Sequence, residues 1–294
     1  MIMNKSNATL IGFSAIALWG ALALLTRLTD NQIPPFQLMS MTFAIAFLLM
    51  LIKWRKEGHW GVHYAKQKKR VWLLGVCGYF GYHFCYFLAM SKAPAVQVSL
   101  LAYLWPLLIV LFSTLLPGHR FRWAHLIGAL SALAGCWLLI GGGSDAFEPQ
   151  YTSGYLIALA CALIWSTFSV TSRLAANVPT DAAGWFCGAT AVLALSCHLA
   201  WETTVMPANL TQWIGVVGLG LGPVGIAFFT WDYGVKHGNI QLLGVLAYSA
   251  PLISVVLLVL FGLAEPSWTL AWACLAIVGG SLIAGFERNK KAAQ

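Results

Sequence analysis

Tyr79, Tyr82, His83 and Tyr86 stand at i, i+3, i+4 and i+7, the spacing that brings four side chains onto one face of a helix. Three hydroxyls and an imidazole on one face can hydrogen-bond a polar solute, and the rings can stack on an aromatic one. The surrounding stretch is otherwise apolar, with Phe80, Phe84 and Phe87 on another face. Such a polar face is costly against lipid and cheap against a water-filled cavity. The tyrosine face is therefore expected to point inward and the phenylalanines toward lipid or a neighbouring helix. The alternative is a hydrogen-bonded helix interface. His83 lies about 12 residues into the stretch, roughly 18 Å deep at about 1.5 Å per residue, near the midplane of a bilayer. There it can bind a substrate carboxylate or carry a proton, or it can be held neutral by a neighbouring tyrosine or carbonyl.

Ser99, Tyr103 and Pro106 stand at i, i+4 and i+7, and Gly244, Tyr248 and Pro251 share that spacing. A proline inside a helix removes one backbone hydrogen bond and clashes with the preceding turn, which frees carbonyls and bends the helix. Pro106 and Pro251 are thus candidate hinges of two gates, against the alternative of static kinks. Trp105 and Trp165 lie well inside apolar runs rather than at their ends, where each offers a flat apolar surface and one donor. Trp19 is the repeat counterpart of Trp165, so both can equally be structural. The candidate cavity residues are Tyr79, Tyr82, His83, Tyr86, Ser99, Tyr103, Trp105, Trp165 and Tyr248. Asp232 is the one carboxylate inside an apolar run, about one turn from its end, and Lys236 at i+4 is placed to pair with it.

These residues need membrane-spanning helices to hold them. Of the 294 residues 60% are hydrophobic and only 9% charged, with a mean hydropathy of +0.77, against about 25% charged in soluble domains. A spanning helix needs about 20 mostly apolar residues. The sequence supplies ten such stretches: 8–28, 34–52, 71–91, 95–116, 121–140, 153–175, 182–201, 212–235, 240–262 and 268–286. Prolines and glycines mark the breaks, at Pro34-Pro35, Pro94, Pro117-Gly118, Gly141-Gly142-Gly143, Pro179, Pro207, Gly238-Asn239 and Pro266. The first stretch has no convincing cleavage site and reads as a retained span. With the N-terminus inside, fifteen of the seventeen Lys and Arg residues fall on the cytoplasmic side, leaving Arg27 and Lys92 outside. Positive residues are retained in the cytoplasm, so both termini are expected there.

Leu101-Ala102-Tyr103-Leu104-Trp105-Pro106 returns 145 residues later as Leu246-Ala247-Tyr248-Ser249-Ala250-Pro251. The same spacing aligns Met90-Ser91-Lys92-Ala93 with Val235-Lys236-His237-Gly238, and a spacing of 146 aligns Trp19 with Trp165 and Thr26-Arg27-Leu28 with Ser172-Arg173-Leu174. A near-constant offset along the chain marks an internal duplication. The halves are 1–148 and 149–294. Five spans in each make the second half an inverted copy of the first, an organisation characteristic of secondary transporters with a midplane substrate site. The expected fold is therefore all-α, ten transmembrane helices in two inverted five-helix repeats.

Several classes are disfavoured. The net charge of +8 reflects topology rather than nucleic-acid binding, since most basic residues sit between apolar runs. Loop 53–70, with seven basic residues and Trp54 and Trp60, is expected on the anionic cytoplasmic leaflet. The seven cysteines form no Cys-x-x-Cys pair, and neither a metal site nor a cofactor is expected. Gly220-Leu221-Gly222-Pro223-Val224-Gly225 fits a dinucleotide pattern by accident, because it lies inside an apolar run where small residues allow close helix packing. No His-Glu-x-x-His motif or paired aspartates point to an intramembrane enzyme, and no phosphate-binding loop points to an ATP-driven pump. The remaining partners are the bilayer and a small-molecule substrate, and one chain holding both halves is sufficient as a monomer.

Trp19-Gly20, Ala93-Pro94, the mid-helix prolines and the duplicated ten-span plan resemble the drug/metabolite transporter superfamily, in its EamA-like branch. Gly78-Tyr79-Phe80-Gly81-Tyr82-His83-Phe84 followed by Leu101-Ala102-Tyr103-Leu104-Trp105-Pro106 is similar to the bacterial aromatic amino acid exporters of the YddG type. The resemblance implies export of amino acids, including aromatic ones, across the bacterial inner membrane; the alternative is efflux of lipophilic drugs or organic cations. Members usually carry a Glu between spans 4 and 5 and again between spans 9 and 10. Here Glu265 fills the second place and Arg120 the first. Small multidrug relatives bind cations with a carboxylate in their first span, and 8–28 has none.

Overall fold

A computed structural model describes residues 4–141 and 147–290, with side chains through Ala284 apart from that gap. The Gly142-Gly143 part of the expected break lies outside the described residues. All regular structure among them is helical. Among the described residues, nine helices are long and apolar enough to cross a membrane: α1 (Lys5–Arg27), α2 (Pro35–Lys56), α3 (Lys69–Met90), α4 (Ala95–Leu115), α5 (Trp123–Ile140), α6 (Pro149–Leu174), α7 (Ala182–Trp201), α8 (Leu210–His237) and α9 (Ile240–Leu260). A further helix, α10 (Trp268–Lys290), is apolar over Trp268–Ala284. The chain is a multi-pass membrane protein.

Local chemistry sets the ends. Pro35 occupies the first turn of α2, where its missing N–H is no loss. Asn209 and Asn239 cap α8 and α9, their side-chain oxygens accepting from the Gln212 and Leu242 amides at 3.0 and 3.3 Å. At the start of α2 the Glu202 carboxylate accepts from the Phe36 and Gln37 amides, both at 3.0 Å, where a helix N-terminus favours negative charge.

Small residues let the helices approach. A Cβ on Gly234 of α8 would lie 2.4 Å from the Gly12 Cα of α1, and a Cβ on Gly128 of α5 or on Gly280 of α10 would lie 2.4–2.5 Å from the other's carbonyl oxygen. Packing of this kind needs Gly or Ala at the contact. Helix α2 runs along α7, where Ser40 Oγ donates to the Ala191 carbonyl at 3.0 Å.

Four departures from regular helix matter for the interior. Helix α3 makes a π turn at Cys77–Gly81 and α8 another at Gly220–Ile226, where Pro223 and three glycines loosen the ladder. Helices α4 and α9 are interrupted at Tyr103-Leu104 and Ala247-Tyr248, just before Pro106 and Pro251. Subtracting 145 from the α8 and α9 positions brings both features to within two residues of those in α3 and α4.

Loop 57–68 departs in part from expectation. Trp60 is 60% exposed, with the Arg55 guanidinium 4.2 Å over its ring. Trp54, by contrast, is fully buried between Trp185 and Tyr64, donating Nε1 to Asp181 at 3.0 Å. It packs under the left-handed turn at Gly61, so it anchors the loop to α7 rather than to lipid.

Candidate functional site

Aromatic side chains of α4, α6 and α8 converge on Trp19 of α1, and those of α3 pack against the rings around it. Its ring centroid lies 6.1 Å from Trp105, 5.8 Å from Trp165, 6.2 Å from Phe228 and 5.1 Å from Trp231. Trp19 Nε1 donates to the Pro223 carbonyl at 3.0 Å, an acceptor at the π turn of α8. Trp231 Nε1 donates to Ser169 Oγ at 3.1 Å. Both indoles are held in fixed orientations by the irregular and small-residue segments beside them.

The π turn in α3 changes how the expected tyrosine face is displayed. Tyr79 is buried and stacks on Phe228 at 4.6 Å, while Phe43 stacks on the same phenylalanine at 5.5 Å. His83 lies between Phe43 at 5.3 Å and Tyr82 at 5.2 Å. Its Nδ1 is 2.7 Å from the Tyr79 carbonyl, which can only accept, so Nδ1 carries the proton and Nε2 presents a lone pair when the ring is neutral. Tyr82 packs 5.5 Å from Trp165 and stacks at 6.2 Å on Tyr86, whose hydroxyl is 3.3 Å from Ser99 Oγ. Phe84 and Phe87 meet Phe36 of α2, a neighbouring helix.

Tyr79, Tyr82, His83, Trp105 and Trp165 thus come together, with Tyr86 and Ser99 adjoining. Tyr82, His83 and Tyr86 are half-buried. Among the described residues, the Tyr82 hydroxyl and His83 Nε2 have no hydrogen-bond partner, yet neither is an unpaired atom sealed from solvent.

Tyr248 lies away from that cluster, whereas Tyr103 sits within electrostatic reach of Tyr82 and Tyr86 without stacking on either. Tyr248 is fully buried among Val110, Ala129, Cys136 and Ile277, and its hydroxyl accepts from the Leu107 amide at 3.2 Å. Its place is an interface between α9 and α4. Trp19, Phe43, Phe228 and Trp231 are the members that side-chain spacing did not single out. The duplication carried part of that signal, since Phe228 is the repeat counterpart of His83 and Trp231 of Tyr86.

Asp232 and Lys236 form a buried pair at 2.7 Å, as their spacing predicts. Thr180 Oγ1 donates to the same carboxylate oxygen at 2.6 Å, and Lys236 Nζ also donates to the Val178 carbonyl at 2.9 Å. Close by, Asp181 pairs with Lys53. A crevice of about 290 Å³ opens there between Leu49, Met50 and Lys53 of α2 and Asp181, Ile226 and Phe229.

The EamA-like transporter family matches this sequence twice, over residues 6–141 and 152–286. The chain belongs to that family. It is 51% identical over 284 residues to the aromatic amino acid exporter YddG of Ancylobacter novellus, covering 96% of this chain and 98% of that one. It is 28% identical to the YddG exporter of Salmonella typhimurium, covering 98% and 100% of the two chains, and 27% identical to that of Escherichia coli, covering 96% and 97%. A crystal structure of a protein 50% identical superposes with a TM-score of 0.91, covering 96% of this chain and 99% of the other.

Proposed function

We propose that this EamA transporter exports amino acids, including aromatic ones, across the bacterial inner membrane through a midplane cavity. The observation that carries the reading is the Trp19-centred cluster, in which aromatic faces surround an unpartnered tyrosine hydroxyl and imidazole nitrogen. Aromatic walls accept an aromatic side chain, while Tyr82 and His83 supply hydrogen bonds for the polar backbone of an amino acid. The names of the similar exporters agree with this substrate class. Tyr79, Tyr86, Ser99, Trp105 and Trp165 complete the wall, and Tyr103 and Tyr248 flank the breaks at Pro106 and Pro251 that serve as hinges.

Ten spans, in two inverted halves at 1–148 and 149–294 with both termini cytoplasmic, give this cavity alternating access. The paired family matches, the π turns at equivalent places in α3 and α8, and the equivalent interruptions of α4 and α9 support that plan. Efflux of organic cations is the weaker reading, because Asp232, the carboxylate within α8, is already neutralised by Lys236.

Counterflow into proteoliposomes loaded with unlabelled phenylalanine tests the function, with trace labelled phenylalanine outside and no ion gradient. Transient accumulation, suppressed by other amino acids outside, is the expected result. Folded protein that accumulates no amino acid but moves a lipophilic cation would reverse the choice.

A further inference from the structure

We infer that the protein carries two reciprocal locks, Arg173 at the cytoplasmic face and Arg27 at the opposite face, which are made in turn as the cavity changes sides. The inference rests on the inverted-repeat reading proposed above. Arg173, in the last turn of α6, donates Nη1 to the Val235 carbonyl at 2.8 Å and to the Gly238 carbonyl at 2.9 Å. Those carbonyls lie where α8 ends and turns into α9, and a helix end leaves such acceptors without donors of its own. The Asn239 amide, four residues beyond Val235, donates instead to Thr9 Oγ1 of α1 at 2.8 Å. A guanidinium is always charged and forks across two oxygens, and its charge suits a helix C-terminus. The start of α1, the end of α6 and the α8–α9 turn are thereby tied into one closed corner.

The repeat offset carries Arg173 onto Arg27, and Val235 and Gly238 onto Met90 and Ala93. That second set is unmade. Arg27 is exposed, and its guanidinium has no hydrogen bond or ion pair with another described residue. Its acceptors stand ready. Pro94 has no N–H to offer the Met90 carbonyl four residues back, and no turn hydrogen bond among the described residues ends on the Met90 or Ala93 carbonyl. Helix α6 runs unbroken from Thr152 to Leu174, whereas α1 is interrupted at Ala21 and its outer end is held to α8 by Gln212 Nε2 donating to Asp30 Oδ2 at 2.9 Å.

The proline-interrupted helices repeat the asymmetry. The Tyr248 hydroxyl takes the Leu107 amide. The counterpart pair is the Tyr103 hydroxyl and the Leu252 amide, and the Tyr103 hydroxyl has no hydrogen-bond partner among the described residues. Both contacts are made on one side of the pseudo-symmetry and unmade on the other. In the state that faces the cytoplasm, Arg27 takes the Met90 and Ala93 carbonyls and Tyr103 takes the Leu252 amide, while the Arg173 and Tyr248 bonds open.

Arg27→Ala is the decisive variant, because a static view makes an exposed, unpartnered side chain inert. Two charge-assisted hydrogen bonds would be lost from the cytoplasm-facing state only, so counterflow is expected to slow roughly tenfold or more. Arg27→Lys recovers part of the rate. Hydrogen–deuterium exchange should show the 236–240 turn better protected in Arg27→Ala and less protected in Arg173→Ala, with the opposite changes at 91–95. Removing both arginines should restore the balance and a faster exchange than either single variant. A wild-type rate in Arg27→Ala, or equal hydrogen-exchange changes in both single variants, overturns the locks. Arg27→Ala keeps the test open if Arg173→Ala fails to fold. Wild-type protein that shows no counterflow would refute the transport reading instead, and the opposed hydrogen-exchange shifts would still decide the locks.

Discussion

Asp232→Asn separates a structural carboxylate from an ion-coupling one. The substitution keeps the side chain's shape and removes its charge, leaving the Lys236 ammonium, whose side chain is 5% exposed, with an amide and the Val178 carbonyl. An exposed pair would contribute only about 0–1 kcal/mol. Burial decides otherwise here, and removing one partner of a buried pair costs about 3–5 kcal/mol. The position one turn from the end of α8 places the expected loss near the lower figure, about 3 kcal/mol. Lys236→Met alone should cost less, because Thr180 still donates to the remaining carboxylate. Asp232→Asn with Lys236→Met removes both charges and should recover to within about 1 kcal/mol of wild type. Thermal unfolding of the four proteins in detergent closes a double-mutant cycle, with an expected coupling of about 2 kcal/mol or more. Additive single effects, or an Asp232→Asn protein as stable as wild type, would refute the argument. Amino acid counterflow by the stable double variant should persist without an ion gradient. Its loss in a folded protein would give Asp232 a role in coupling.

Glu202→Gln replaces a carboxylate that receives two amides at the start of α2 and faces His198 Nδ1 at 2.9 Å, and should lower stability by about 1–3 kcal/mol in the same unfolding assay. Tyr248→Phe strands the part-buried Leu107 amide and should cost about 1–3 kcal/mol; Tyr82→Phe, which strands nothing, should leave stability unchanged and weaken phenylalanine counterflow. Trp19→Phe keeps a ring in the cluster but removes the donor to Pro223, so hydrogen exchange is expected to rise over 220–226, while Trp165→Phe leaves that segment unaffected.

The span limits were legible because they depend on local chemistry. Apolar runs end at Pro34, Pro94 and Gly238-Asn239 in sequence and in structure alike. The Asp232–Lys236 pair was legible for the same reason, since i+4 spacing alone places the two groups together. The π turns were not, because a 3.6-residue period assumes the hydrogen bonding that Pro223 and the neighbouring glycines disrupt. That local change puts Tyr79 on Phe228 and leaves Tyr82 beside Trp165. The place of Tyr248 was also hidden, because an amide of α4, 141 residues away in sequence, determines it. Trp19 looked like a structural copy of Trp165, and only tertiary packing makes it the centre of the cluster.

The cavity proposal is tested most directly by photolabelling with a photoreactive phenylalanine analogue, mapped by mass spectrometry in the presence and absence of excess phenylalanine. The account expects labels that phenylalanine suppresses on Trp19, Tyr82, Trp165 or Phe228. Suppressible labelling confined to the crevice between Leu49 and Phe229, with the aromatic cluster untouched, would contradict it.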